Sequence, residues 1–175
     1  MARLRALLRD ERGQVLPFVA IAAMVLTITT GLVLVGGLSY AYAELVQQAA
    51  DAAALAGAST ADVLLFYNDP LFGGCYSPVP SSTSDVPCEI HVLLNQQAAE
   101  DRAQEALQAN AQEARFADRG LTLTGMNLSI VGNGTDKAGV TVEVTAEARV
   151  PLLGLFGSDK ITIRRKADSQ VSVKY

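Results

Sequence analysis

From Gln14 to Ala43 the chain reads QVLPFVAIAAMVLTITTGLVLVGGLSYAYA, without one charged side chain. No other feature restricts the fold so strongly. A hydrocarbon layer roughly 30 Å thick is crossed by about 20 apolar residues in helical form. The lipid-exposed backbones that keep their polar groups bonded there are the helix and the closed barrel. The run is therefore read as a transmembrane helix over 14–43. A cleavable secretory signal is the competing reading, because SYAYA at its end imitates a small-x-small cleavage site. The run is too long for a signal core, and good helix formers continue past it. Arg3, Arg5, Arg9 and Arg12 crowd the preceding flank, residues 1–13. Positive flanks stay in the cytoplasm, which puts residues 44–175 outside. Tyr40 and Tyr42 fall where an outer interfacial aromatic belt would lie.

Small residues punctuate the span. Gly31, Gly36 and Gly37 would each cost about 1 kcal/mol in an exposed soluble helix. In lipid they let a second helix approach closely, and Gly37 and Ala41 have the small-xxx-small spacing of such contacts. Thr27, Thr29 and Thr30 have hydroxyls to bond either to backbone or to a neighbouring helix. A single-pass span has no partner in its own chain, so the pattern points to self-association or to another membrane protein.

Nothing breaks the helix between Ala41 and Ala56, and one rod is expected from Gln14 to Ser59, on the order of 70 Å long. Its outer part, 44–59, has two faces. Glu44, Gln47, Gln48 and Asp51 recur at helical spacing and form a polar stripe. Leu45, Val46, Ala49, Ala53, Ala56 and Gly57 form the other face, which is apolar and nearly flat. A flat face suits close approach, either to the chain's own outer domain or to the same helix of another subunit. Spacing alone leaves both open. Gly31, Gly36, Gly37, Ala41, Ala49, Ala53 and Gly57 are the candidate helix-packing and assembly residues. Glu44 and Asp51 are the candidates for setting orientation or pairing with a basic group.

RGQVLPFVAIAAMVL followed by AELVQQAADAAALAGAS closely resembles the N-terminal segment of TadE/TadG-like proteins, pilin-like components of the Tad (tight adherence, Flp-type) pilus system. The similarity covers roughly residues 9–59 and is carried best by QQAADAAALAGA; VPLLGLFGSDKITIRRKA near the C-terminus is similar to the family more weakly. The resemblance implies a bacterial inner-membrane anchor, an extracytoplasmic pilin-like domain and a part in pilus assembly. It also implies as partners other pilin-like subunits, pilus-assembly membrane proteins and the membrane itself. Some members are cut by a prepilin peptidase after a glycine, with a glutamate five residues into the mature chain. Gly13 and Gln14 would flank that bond here, but Phe18 stands where the glutamate is expected. The departure puts processing in doubt and favours a minor or accessory component over the main filament subunit.

Residues 60–89 are rich in Pro, Gly and Ser at their centre and read as loop. Cys75 and Cys88 are the only cysteines. Outside the cytoplasm an even pair is one disulfide, closing a loop for about 3 kcal/mol in the chain-entropy model. Tyr67, Phe72 and Tyr76 give this stapled loop an aromatic content that suits contact with a surface or partner. Residues 90–175 read as a small α+β domain. A second helix is expected over roughly Ile90–Asp118, with Leu94, Ala98, Leu107, Ala111 and Ala114 inward and Gly120 as its stop. LTLTGMNLSIVG reads as a strand with a bulge at Gly125. VTVEVTAEARV alternates, with Val140, Val142, Val144, Ala146, Ala148 and Val150 on one face. PLLGLFG reads as an apolar corner capping the sheet. KITIRRKADSQVSVKY is the last strand, with Ile161, Ile163, Val171 and Val173 in phase.

No catalytic constellation is legible. His91 is the only histidine. Glu143 and Glu147 lie on the wet face of a strand, Arg164, Arg165 and Lys166 make a small basic patch read as a solvated face rather than a phosphate site, and no glycine loop leads from a strand into a helix. No metal or other cofactor is expected, and the net charge of −4 argues against nucleic acid. The pattern Asn-x-Ser/Thr at Asn127 and Asn133 is read as accidental. Two functions remain: a structural part of a pilus or related secretion apparatus, and a membrane-tethered adhesion module using the 75–88 loop.

Overall fold

A computed structural model describes residues 11–69, 71, 73–80, 87–150, 153–154 and 158–173, with backbone only for residues 11–16. The architecture is α+β: a long apolar N-terminal helix, a second helix and two small antiparallel sheets. Helix α1 (Glu11–Ala58) runs unbroken for 48 residues, about 72 Å at 1.5 Å per residue. Pro17 lies within it. A proline this close to a helix start removes a hydrogen bond without breaking the helix.

The expected loop at 60–89 is corrected. It carries β1 (Asp62–Asp69), β2 (Gly74–Ser77) and the start of β3 (Glu89–Leu93), joined antiparallel in the order β2-β1-β3. The segment DVLLFY has the β-branched and aromatic content of a strand. The Pro, Gly and Ser residues that suggested loop are concentrated after it.

Helix α2 (Gln96–Glu113) starts later than expected, because Ile90 and Val92 pair with Leu65 and Val63 of β1. Asn95 caps it, its side chain accepting from the Ala98 N–H at 3.1 Å. The later start also shifts the buried face. Ala99, Ala103 and Leu107 are buried, whereas Ala98 is exposed and Leu94 belongs to the segment before the cap. α2 ends at Arg115 rather than at Gly120. Arg115 donates to Gln112 O (3.0 Å) and Phe116 to Ala111 O (3.0 Å), with Arg115 at φ 53. This is the paired-bond termination that usually has glycine at the left-handed position. A single 3₁₀ turn, Ala117–Arg119, follows, and Gly120 (φ 72) turns the chain into the main sheet.

The main sheet is β4 (Leu121–Val131), β5 (Lys137–Arg149) and β6 (Lys160–Ser172), antiparallel in chain order with β5 central. β5 alternates as read: Ala138, Val140, Val142, Val144, Ala146 and Ala148 are buried, and Val150 just beyond the strand is buried too. Each fully buried valine contributes roughly 1.5–3 kcal/mol over exposure. In β4 the register breaks between Leu123 and Gly125, which leaves Thr124 as the extra residue of a bulge. The bulge matters for the core. Leu121 and Leu123 face inward before it, and Met126, Leu128 and Ile130 after it, a change of phase that an unbroken strand cannot make. The β4–β5 connection is pinned to β3. Asn133 donates through Nδ2 to Leu94 O (3.1 Å), and its Oδ1 accepts from Leu94 N–H (2.7 Å). The Asn133 side chain thus has a structural use inside the pattern read as accidental.

One face of this sheet is covered by the outer half of α1 and by α2, and these three layers form a continuous core. The opposite face is wet: Lys160 pairs with Glu147 at 3.2 Å, and Glu143 sits opposite Lys166 in the ladder.

Candidate functional site

The candidate assembly element is α1, and the fold divides it into two halves with different surroundings. From Pro17 to Ala41 its side chains stand clear of the rest of the chain. Phe18, Ile21, Met24, Leu26, Leu32 and Val33 are among the exposed apolar groups, and Tyr40 is 73% exposed. This stretch is long and apolar enough to cross a membrane. Three of the hydroxyls here are satisfied within the helix: Thr27 donates to Ala23 O, Thr29 to Val25 O and Ser39 to Val35 O, each at 2.8 Å. These three therefore need no neighbouring helix to bond. A Cβ placed on Gly31, Gly36 or Gly37 would meet nothing within 4 Å. Ala41 is exposed as well. These four small residues are open to another chain or to lipid.

The outer half is different. Ala43, Val46, Ala49, Ala50, Ala53, Ala54 and Ala58 are buried in the core. Gly57 is closely packed: a Cβ there would stand 3.2 Å from Val140 Cγ1 and 3.3 Å from the Ala99 carbonyl oxygen of α2. The flat face is thus used by the chain's own domain, and Ala49, Ala53 and Gly57 are not free for a second subunit. Leu55, at 67% exposed, points away from this contact.

The polar stripe runs along the flank of the same contact. Gln47 Nε2 bonds Asp51 Oδ1 (2.9 Å) and the Lys166 carbonyl (3.3 Å), while Gln48 reaches Glu44 at 3.4 Å. Arg165 of β6 is a basic group beside the stripe. Its Nε donates to Ala43 O at 3.4 Å, and among the described residues it forms no ion pair with Glu44 or Asp51. Gln47 and Arg165 thus tie this flank of the rod to β6. At the other end, Gly13 and Gln14 lie in the first turns of α1. Pro17 has no N–H to offer the Gly13 carbonyl.

Cys75 and Cys88 form a disulfide with Cα atoms 6.0 Å apart. It joins β2 to the residue before β3, and β1 lies between those strands. Cys88 N–H also bonds Phe66 O at 2.9 Å. His91 on β3 contacts Glu89 Oε1 at 2.7 Å and the edge of the Phe66 ring at 5.1 Å between centroids. Val63, Leu64, Leu65, Leu71 and Tyr76 leave apolar surface exposed on and beside this small sheet. Of the three aromatics expected there, Tyr76 is exposed, Tyr67 is half-buried, and Phe72 lies outside the described residues.

No family model, curated protein or solved structure matches the chain.

Proposed function

We propose that this chain is a membrane-anchored, pilin-type structural protein that works as a rigid rod joined to an outer domain. The observation that carries the reading is the split character of α1. One uninterrupted helix is open and small-residue-rich where it would cross lipid, and it is core to the outer domain beyond that. A helix shared in this way couples the anchor mechanically to the domain, as a subunit of an assembly requires. More narrowly, we propose a TadE/TadG-like component of a Tad (Flp) pilus or related secretion apparatus. It would sit in the bacterial inner membrane with the N-terminus inside and the domain outside. The resemblance over residues 9–59 supports this, and Phe18 in place of the glutamate favours a minor or accessory role.

The packing determines which variants test the idea. Ala53 is in the core, so enlarging it would confuse misfolding with lost assembly. Gly31→Leu with Gly37→Leu places bulk only in open space. The double variant is expected to lose co-purification with pilus-assembly membrane proteins while the outer domain unfolds at an unchanged midpoint. Undiminished co-purification would sink the assembly role. The adhesion reading is kept alive by the exposed apolar surface of the stapled sheet. Leu71→Ser with Tyr76→Ser should impair surface attachment, with assembly intact, if that reading is right.

A further inference from the structure

Strand directions fix which end of the outer domain faces the bilayer. Gly57, far along α1, lies beside Val140 of β5, whereas Ala43, near the span, is bonded by Arg165 of β6. Arg165 is the register partner of Val144. β5 therefore runs from the far end of the domain back toward the membrane, and its last residue, Arg149, lies five positions beyond Val144. That is a strand length of about 16 Å. α2 agrees: its first turn holds Ala99 against Gly57, so its C-terminal end lies toward the span. The uncharged run begins at Gln14, and the roughly 20 helical residues that cross the hydrocarbon end near Val33. Ala43 is then about 15 Å farther out along the rod, which the roughly 16 Å of strand beyond Val144 matches, so the end of β5 comes to the headgroup layer.

At that end lies a cleft of about 640 Å³ between the end of α2, the 3₁₀ turn and the sheet. Phe116, Leu121 and Leu123 supply apolar wall, and Arg115, Arg149 and Asp118 supply charge. Neither arginine has an ion pair among the described residues, and both are exposed. Arg119 on the 3₁₀ turn and Arg164 on β6 also lack an ion pair. The opposite end is mixed in charge: Asp62, Asp69, Glu89 and Asp136 belong to the small sheet and the β4–β5 connection, beside Lys137 at the start of β5.

Arg115 adds an independent observation. It is the sole described non-glycine residue with positive φ, at the position of the helix termination that glycine fills most easily. A strained arginine on a cleft wall marks a side chain with a use there. A planar guanidinium suits phosphate, and a second one across the cleft would hold it from two sides.

We infer that this membrane-facing cleft binds the headgroup of an anionic phospholipid, with Arg115 and Arg149 on its phosphate and Phe116, Leu121 and Leu123 against its glycerol and upper acyl chain. The inference rests on the membrane-anchor part of the proposed function, not on the pilus assignment.

The chain has no tryptophan, so Thr122→Trp, on the cleft wall, gives a single reporter. The full chain is placed in phosphatidylcholine nanodiscs containing a minor fraction of headgroup-nitroxide phosphatidylglycerol or, separately, headgroup-nitroxide phosphatidylcholine. Quenching should favour phosphatidylglycerol and fall about fivefold in apparent affinity for each arginine removed, in Arg115→Gly and in Arg149→Gln. Arg115→Gly should meanwhile keep or raise the thermal midpoint, because glycine relaxes the left-handed position. That combination separates a lipid ligand from a structural arginine. Equal quenching by the two lipids, or a preference that survives both substitutions, would overturn the site. Absence of quenching by either lipid, with the chain in the disc, would show that the cleft faces away. Failure of the chain to enter the discs would instead defeat the anchor reading itself.

Discussion

Gly57 offers the sharpest test of how the rod and the domain share one core. A Cβ at this position would lie 3.2 Å from Val140 Cγ1, 3.3 Å from the Ala99 carbonyl oxygen and 3.5 Å from Leu128 Cδ1. The neighbours come from β5, α2 and β4, so no single side chain can swing aside to make room. Alanine gains about 1 kcal/mol of helix propensity over glycine. The two tight contacts oppose that gain, and Gly57→Ala is expected within about 1 kcal/mol of the parent. Leucine adds three carbons beyond that Cβ and must separate α1 from α2. Overpacking of this kind costs about 3 kcal/mol. With a urea dependence of roughly 1–3 kcal/mol per molar, the midpoint should fall by about 1–3 M. Gly36→Leu is the control, because a side chain there meets nothing within 4 Å. Urea unfolding in detergent, followed by hydrogen exchange of the β5 amides, reads both variants. An unchanged midpoint for Gly57→Leu would refute the packing argument. So would an equal loss for Gly36→Leu, which would mean that the two halves of α1 are not in different surroundings.

Two further perturbations probe the sheets. Reducing the disulfide, or Cys75→Ser with Cys88→Ser, should cost about 3 kcal/mol. The loss should be confined to β1–β3, so exchange in β1 should rise while β5 protection holds. Deleting Thr124 removes the bulge and leaves Leu121 and Leu123 in unbroken alternation with Met126, Leu128 and Ile130, because Leu123 and Gly125 already face the consecutive residues Ala146 and Thr145. The outer domain should therefore keep a cooperative thermal transition; a lost transition would refute the reading of Thr124 as one surplus residue in an otherwise regular ladder.

The core strand β5 was legible because alternation decides burial when one face is covered, and all its inward positions are buried. The bulge was legible from Gly125, although the extra residue is its neighbour Thr124. The two cysteines were legible as a bond because no other pairing exists. The small sheet was not, since β1 and β2 are short and lie among turn residues, and their pairing with β3 depends on chain that is distant in sequence. That missed strand also displaced the start of α2. A helix counted from Ile90 with Leu94 inward places Ala98 on its buried face, one residue away from the observed Ala99. The lipid-facing cleft was invisible for a related reason. Arg115 and Arg149 are far apart in the chain, and only the antiparallel course of α2 and β5 brings them to one end.

By itself, the sequence determined that this chain carries one long apolar helix, a staple, and an alternating strand that must be covered. Those properties are local: they follow from missing charge, from paired thiols and from a period of two. The partner of the alanine face was decided only by the tertiary structure. A flat face of alanines has no knobs to choose among partners, and many surfaces fit it equally well by composition. Here the choice falls to the sheet and α2, because Gly57 lets β5 and the Ala99 carbonyl come close, and Gln47 and Arg165 tie the rod's flank to β6.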